Sequence, residues 1–149
     1  MKYLLDTCVV SETRRREPNA NLMNWLAERQ AADLFVSVVT LGELRKGACS
    51  LKDASRRQIL EKWIDEDVAT GFNGRILGFE RSIADRWGRL MGEGIAKGLT
   101  PSVTDSMLAA TALSHDMAVV TRNVRDFQFD GLQVINPFGR SHDQIETFP

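Results

Sequence analysis

Apolar and polar positions change period several times along this chain, and each change marks an element. Lys2 to Leu5 reads as a short buried strand. A helical pattern follows from about Thr7 into the stretch SETRRRE, and it stops before Pro18 because the residue ahead of a proline is pushed out of helical geometry. Asn19 is placed to cap a helix that carries Leu22, Trp25 and Leu26 on one face. LFVSVV from Leu34 is a second strand running straight into a helix start, where Thr40 and Glu43 have capping-box spacing and the helix continues through Leu44 and Ala48. From Ser55, with Gln58 three residues on, a longer helix to Ala69 would turn Ile59, Leu60, Trp63 and Ile64 inward.

The second half repeats the alternation. RILGF (Arg75 to Phe79) is a third strand, and Ile83, Trp87, Leu90 and Met91 then recur at helical spacing until Gly92, Gly94 and Gly98, where that helix weakens or ends. DSMLAATALSH, from Asp105, is too apolar and too rich in alanine for a surface helix, so it must pack against the sheet. MAVVT is a fourth strand, NVRDF a turn or short helix, and LQVIN a fifth strand ending at Pro137. Strands alternating with helices predict an α/β fold, with a central parallel sheet of about five strands and helices on both faces. No repeat, low-complexity tract or linker divides it, so one domain over residues 1–149 is expected, with its core in about 1–138 and a tail at 139–149.

Composition agrees with this picture. The chain has 149 residues, 43% hydrophobic and 26% charged, the balance of a globular protein large enough to bury its own core. Its apolar runs are short and an acid arrives at the sixth residue, so neither a membrane span nor a signal sequence is expected, and a cytoplasmic location is. Cys8 and Cys49 stand alone, outside any Cys/His cluster, which argues against a zinc site or a disulfide framework. The net charge of −1 provides no global basic field, so any nucleic acid must be held by a local patch. The basic groups Arg14 to Arg16, Leu44 to Lys46, and Arg56 with Arg57 are candidates for such a patch, or are simply solvated helix faces.

Acids fall where the fold would use them. Asp6 follows the first strand, Glu43 starts the helix after the second, Asp105 opens the alanine-rich helix, and Asn123 and Asp126 follow the fourth strand. In parallel α/β sheets ligands bind beyond the carboxyl ends of the strands, and the alternating topology would gather all five positions at that edge. Crowded carboxylates repel one another unless a cation offsets the charge. Oxygen donors without His or Cys favour a hard ion such as Mg²⁺, with Mn²⁺ as the second choice. Such an ion lowers the pKa of a bound water and stabilises charge on a phosphate, so the implied chemistry is phosphodiester hydrolysis.

Each residue also has a purely structural explanation. Glu43 could be the capping-box acid of Thr40, Asp105 that of Ser102, and Asp6 a strand-end residue capping the next helix. Asn123 could be an ordinary turn residue, and Asp126 could pair with Arg122 or Arg125. His115 and His142 are isolated and read as a helix-end and a tail residue.

LLDTCVVSE at the start, SVVTLGELRKG around Glu43, VTDSMLAATALSHDMAVVTRNVRDF around Asp105, and the closing VINPF resemble PIN-domain ribonucleases, above all the VapC toxins of bacterial type II toxin-antitoxin pairs and their FitB-like relatives. Four segments agree in order and spacing over nearly the whole chain, leaving RSHDQIETFP over. The resemblance implies a Mg²⁺-dependent endoribonuclease in which Asp6, Asp105 and Glu43 bind the metal, Asp6 and Asp105 most directly. The family's fourth acidic position falls at Asn123, with Asp126 three residues on, which leaves a second metal site in question. Thr7 resembles the polar residue after the first acid, and Thr121 the hydroxyl that orders the site.

The resemblance further implies an RNA substrate and a cognate antitoxin whose basic N-terminal part binds operator DNA and whose C-terminal segment covers the toxin groove. It also implies a homodimer or a toxin-antitoxin hetero-oligomer, with no membrane involved. Trp25, Leu41, Leu44 and the helix from Ser55 to Ala69 are candidates for lining the antitoxin or dimer surface, or for ordinary core. Two rival readings remain. A phosphatase with an aspartyl nucleophile needs an acid two residues after Asp6, where Cys8 stands; a PIN-like module could also serve a DNA-binding partner with little or no catalysis.

Overall fold

The computed structural model describes residues 1–139 and 145–149. Six strands form one sheet in the order β3-β2-β1-β4-β5-β6, where β1 is Tyr3–Leu5, β2 Leu34–Ser37, β3 Ile76–Leu77, β4 Ala118–Val120, β5 Gln133–Ile135 and β6 Ile145–Thr147. The first five are parallel, with Leu4 opposite both Phe35 and Val119, as the alternation predicts. The sixth comes from the stretch the sequence left as a tail: β6 runs antiparallel to β5, pairing Ile145 with Ile135. His142 lies outside the described residues.

Two hydrophobic layers follow from the period-two alternation of these short strands. Leu5, Val36, Val120 and Ile135 face one layer, built with α1 (Thr7–Thr13), α2 (Ala20–Ala27) and α3 (Val38–Cys49). Leu4, Val119 and Val134 face the other, where they meet Leu108, Ala109 and Ala112 of α7 (Val103–Ser114). The small side chains of α7 let it lie close on the sheet, as its composition requires. Each fully buried Leu or Val contributes roughly 1.5–3 kcal/mol, so the strands that carry the site are also the best anchored. Trp25 is fully buried, edge-on to Tyr3, and Leu44 is also core, so neither lines an open surface; Leu41 packs partly buried against the same layer.

Several local predictions need correction. The cap of α3 is Ser37, whose hydroxyl accepts from the Val39 amide at 3.0 Å, and not Thr40, which is fully buried and receives the Thr7 hydroxyl. Ser37 wins because it is the last extended residue before the helix, which is the backbone state a cap needs. The next helix is capped by Asp53, two residues before Ser55, and runs as α4 (Ala54–Lys62), a π-helical segment (Trp63–Val68) and α5 (Ala69–Gly71). Its inward stripe is Leu60, Ile64 and Val68 at intervals of four, which leaves Ile59 60% exposed.

Gly92 and Gly94 do not interrupt α6 (Arg81–Ala96); the stop is Gly98, at φ +78°. Its amide reaches Ile95 and that of Leu99 reaches Gly94, the double bond of a Schellman ending. No helix among the described residues is long and apolar enough to cross a membrane.

Candidate active site

The sheet order reverses between β1 and β4, and the crevice beyond their carboxyl ends is where this topology places ligands. Asp6 stands there. Its amide continues the ladder to the Val120 carbonyl at 2.9 Å, and its side chain turns to cap α1 by accepting from the Thr7 amide at 2.7 Å. The other carboxylate oxygen accepts from the Thr121 hydroxyl at 2.7 Å and the Cys8 thiol at 3.3 Å. Asp6 is therefore a helix cap and a site residue at once, 6% exposed with both oxygens held.

Burial pushes the Asp6 carboxyl above its usual range, against the three hydrogen bonds that favour the anion, and the charge of Glu43 pushes the same way. Burial and the Asp6 charge also raise the Cys8 thiol to about 11, so Cys8 stays protonated and serves as a donor. Thr121 is fully buried at the end of β4, and while donating to Asp6 it accepts from the Asn123 amide at 2.9 Å. One hydroxyl thus ties β1 to the loop after β4.

Asp105 lies in the first turn of α7, where the Ser102 hydroxyl caps the helix by accepting the Asp105 amide at 3.4 Å. Its carboxyl is pushed up to about 6, first by burial and then by Asp6, Asp126 and Glu43, against the Ser102 hydrogen bond. Four carboxylates therefore feel one another across this crevice. Glu43 comes from α3, half-buried and six residues past the true cap, so it is not a capping-box acid.

Asn123 and Asp126 belong to the short 3-10 turn Val124–Phe127, where the Asp126 amide bonds the Asn123 carbonyl at 3.0 Å and both side chains are exposed. The pairing of Asp126 with Arg122 or Arg125 does not form among the described residues; Arg122 instead reaches Glu12 at 3.1 Å. Thr7 adds its hydroxyl to that of Thr40 at 3.4 Å, joining α1 to α3 beneath Glu43.

All donors offered to the crevice by these acids are oxygens, and they carry more negative charge than the crevice tolerates alone. That fits a hard divalent cation. Among the described residues no three His, Cys, Asp or Glu side chains stand close enough to hold an ion by themselves. This still fits Mg²⁺, which typically takes one or two carboxylates and keeps several waters.

Glu12 escaped the sequence reading. It is buried beside the site, accepts from the Asn19 amide at 2.9 Å, and pairs with Arg15 and Arg122. Burial raises its carboxyl, but these donors outweigh that and hold it below its usual value. Arg122, next to Thr121, also stacks 4.2 Å from the ring centre of Phe138. An acid flanked by arginines at helical spacing was the only signal, and it reads equally well as a surface pair.

Comparison with known proteins supplies the context for this crevice. Residues 3–130 match the PIN domain. The chain is 31% identical over 135 residues to the VapC ribonuclease Y4jK of Sinorhizobium fredii, covering 91% of this chain and 96% of that protein. It is also 31% identical over 135 residues to the toxin FitB of Neisseria gonorrhoeae, covering 91% and 97%. Among solved structures, FitAB bound to an IR36 DNA fragment superposes with a TM-score of 0.84 at 30% identity, covering 95% of this chain and 99% of that one.

Proposed function

The chain belongs to the PIN-domain family, and from that premise we propose that it is the toxin of a type II toxin-antitoxin pair: a metal-dependent endoribonuclease held in check by a cognate antitoxin. The observation that carries this reading is that Asp6, Asp126 and Glu43 act by charge on Asp105, whose carboxyl burial and these acids push up to about 6. A second reading, a non-catalytic partner module, is not favoured by relatives that include a ribonuclease and a toxin.

PIN-domain ribonucleases depend on a divalent metal. In this chain Mg²⁺ is the proposed ion, with Mn²⁺ able to replace it, and Asp6 and Asp105 would hold it with help from Glu43. When bound, it supplies a lowered pKa for a water and neutralises charge on the scissile phosphate. The residues do the rest. The Thr7 amide and the Thr121 hydroxyl fix both oxygens of Asp6, so its carboxylate need not reorganise when substrate arrives. Asn123 and Asp126, on the open side, would orient the attacking water and the leaving oxygen. The water oxygen bonds to phosphorus, one phosphorus–oxygen ester bond breaks, and the departing oxygen takes up a proton.

The same negative crevice suits an Arg or Lys of an antitoxin, which would silence the site by occupying the place of the cation. Operator DNA would be reached only through that antitoxin, in line with the DNA-bound FitAB assembly. A homodimer or a toxin-antitoxin hetero-oligomer is the expected assembly.

The test is cleavage of total tRNA and ribosomal RNA by the purified, antitoxin-free chain with Mg²⁺, with EDTA, and as Asp105→Asn. Cleavage that needs both the metal and Asp105 is expected. Folded protein that leaves RNA intact with Mg²⁺ would transfer the reading to the partner-binding module.

A further inference from the structure

Beside the acids, the end of α6, the loop into α7 and the 3-10 turn enclose an open cavity of about 290 Å³. That is the lower end of small-ligand sites, room for one ring system and too little for a large cofactor. Leu90, Leu99, Pro101 and Phe129 supply an apolar lining, while Thr100 and Gln128 offer neutral hydrogen-bonding groups. The lining is built firmly: Gly98 turns the chain at φ +78°, and a Cβ on the buried Gly94 would meet the Pro101 ring at 2.9 Å, so loop and helix are already in close contact. Leu99 is nonetheless 56% exposed, an apolar side chain left at the mouth of an otherwise charged region.

The cavity adjoins the proposed catalytic crevice. Ser102, which caps the helix of Asp105, and Asp126 both line it. Lys97 and Arg125 line it together with the acids Glu93, Asp126 and Asp130, and Lys97 lies 3.9 Å from Asp130. A second depression lies across the 3-10 turn, lined by Arg122, Asn123, Asn136 and Glu146, and it shares Arg125, Asp126 and Gln128 with the first. A strand of nucleic acid laid over the turn would keep a phosphate by Arg125 while one base dropped beside Phe129.

We propose that this cavity is a nucleobase subsite, in which one unpaired base next to the scissile phosphate seats against Phe129 and Pro101 and is read by Gln128 and Thr100. The inference rests on the ribonuclease reading for its RNA, and it adds the place where sequence preference arises. Unpaired bases are recognised by stacking on aromatic rings and by hydrogen bonds to their edges, and this lining provides both. The choice of a base over a basic antitoxin segment rests on the room for a single ring system and on the Phe129 ring, not on charge, since the acids Glu93, Asp126 and Asp130 outnumber Lys97 and Arg125 on the lining.

Two readouts test it. Random single-stranded RNA octamers are cut by the antitoxin-free chain with Mg²⁺, and the ends are sequenced for wild type, Thr100→Trp, which fills the cavity, and Gln128→Ala. Separately, the fluorescence of 2-aminopurine in a short RNA is followed with the same proteins in EDTA, where no cleavage is needed. Wild type should show a base preference at one position flanking the cut and should alter the 2-aminopurine signal. Thr100→Trp should lose the 2-aminopurine response and the base preference in whatever cleavage it retains, and Gln128→Ala should flatten the preference at least several-fold. Fluorescence that responds to Thr100→Trp without any cleavage would uphold the subsite and reject the nuclease reading. Cleavage patterns and fluorescence identical in all three proteins would overturn the subsite, as would variants that lose only antitoxin binding.

Discussion

The two walls of the acidic crevice are built differently. On the β1 side, both Asp6 oxygens are bound, the residue is 6% exposed, and its backbone extends a strand flanked by β2 and β4. On the other side, Asn123 and Asp126 flank and ride a single turn of 3-10 helix that is pinned by the fully buried Phe127 but leaves both of their side chains exposed. Both walls are anchored in the core, but the first fixes its carboxylate as well, whereas the second fixes its backbone and makes no hydrogen bond to the Asn123 or Asp126 side chain among the described residues. A metal site needs one fixed carboxylate to set its position, whereas the groups that meet water, substrate and antitoxin gain from freedom to adjust. The contrast therefore predicts a hierarchy: substitutions should matter in proportion to how firmly the residue they replace is held.

Asp6→Asn should have the largest effect. It keeps the shape and the cap but removes the charge that both Thr121 and the cation recognise, and loss of one preorganised electrostatic contact typically lowers kcat by roughly 10²–10³-fold. Single-turnover RNA cleavage at saturating Mg²⁺ measures it, with circular dichroism confirming the fold. Activity within a few-fold of wild type would show that the rigid wall is only structural.

Thr121→Val comes next, because it leaves shape and volume nearly intact while deleting one hydroxyl. Asp6 loses a donor and the Asn123 amide loses its acceptor. Removing a group that orients a ligand commonly costs roughly 10–100-fold in metal affinity or activity. Asp6 Oδ2 keeps only the Cys8 thiol and the Asn123 amide loses its side-chain acceptor, which should also cost about 1 kcal/mol in stability. Metal titration of cleavage should show a weaker apparent affinity, with part of the rate recovered at high Mg²⁺. A loss that high Mg²⁺ leaves untouched would place Thr121 in the chemistry itself.

What the sequence disclosed divides along the same line. Asp6, Glu43 and Asp105 were legible because each sits at a strand end or in the first turns of a helix, positions that hydrophobic period and cap residues locate well. Their joint placement needed only the alternation of strands and helices. The cap of α3 was misassigned because Ser37 and Thr40 both suit that role, and only the extended backbone at Ser37 decides between them. β6 was invisible because its three residues are all exposed and carry no alternating pattern, so pairing with β5 alone defines it. Glu12 was missed for the opposite reason: its partner Arg122 is 110 residues away, and no local period reports such a pair.

Asp105 sharpens the comparison through pH. Its folded value of about 6 lies above the ordinary 3.8, so between about pH 4 and 6 the native state keeps a proton that the unfolded chain has lost. Stability of the metal-free protein should therefore fall as pH rises through that window and level off above it. Asp105→Asn removes its share of the slope and leaves that of Asp6, whose carboxyl burial also raises. At pH 7.5 it should melt higher by roughly 2–4 °C, corresponding to about 1 kcal/mol once solvent screening of a half-exposed group is allowed for. Mg²⁺ should stabilise wild type and help the variant much less. Melting curves in EDTA and in Mg²⁺ over pH 4–8 decide the matter, and a flat wild-type profile would mean that the crowded acids are already relaxed without a cation.

The smallest effect belongs to the open wall, and it is the most informative about how the site works. Asp126→Asn removes a charge that helps raise Asp105, so its first consequence is to ease Asp105 toward the carboxylate form. Its second is to withdraw one acid from the water and the leaving group. These oppose each other, and an exposed charge in screened surroundings is worth about 1 kcal/mol or less, so cleavage at saturating Mg²⁺ should change by no more than roughly 5-fold. Asn123→Asp adds a carboxylate on the same side and should strengthen binding of a second cation, lowering the Mg²⁺ concentration that gives half-maximal cleavage. If instead Asp126→Asn abolished cleavage as completely as Asp6→Asn, the exposed turn would be as essential as the buried strand end. Catalysis would then depend on this turn being ordered by substrate, and the difference between the two walls would be one of timing, fixed before binding on one side and fixed by binding on the other.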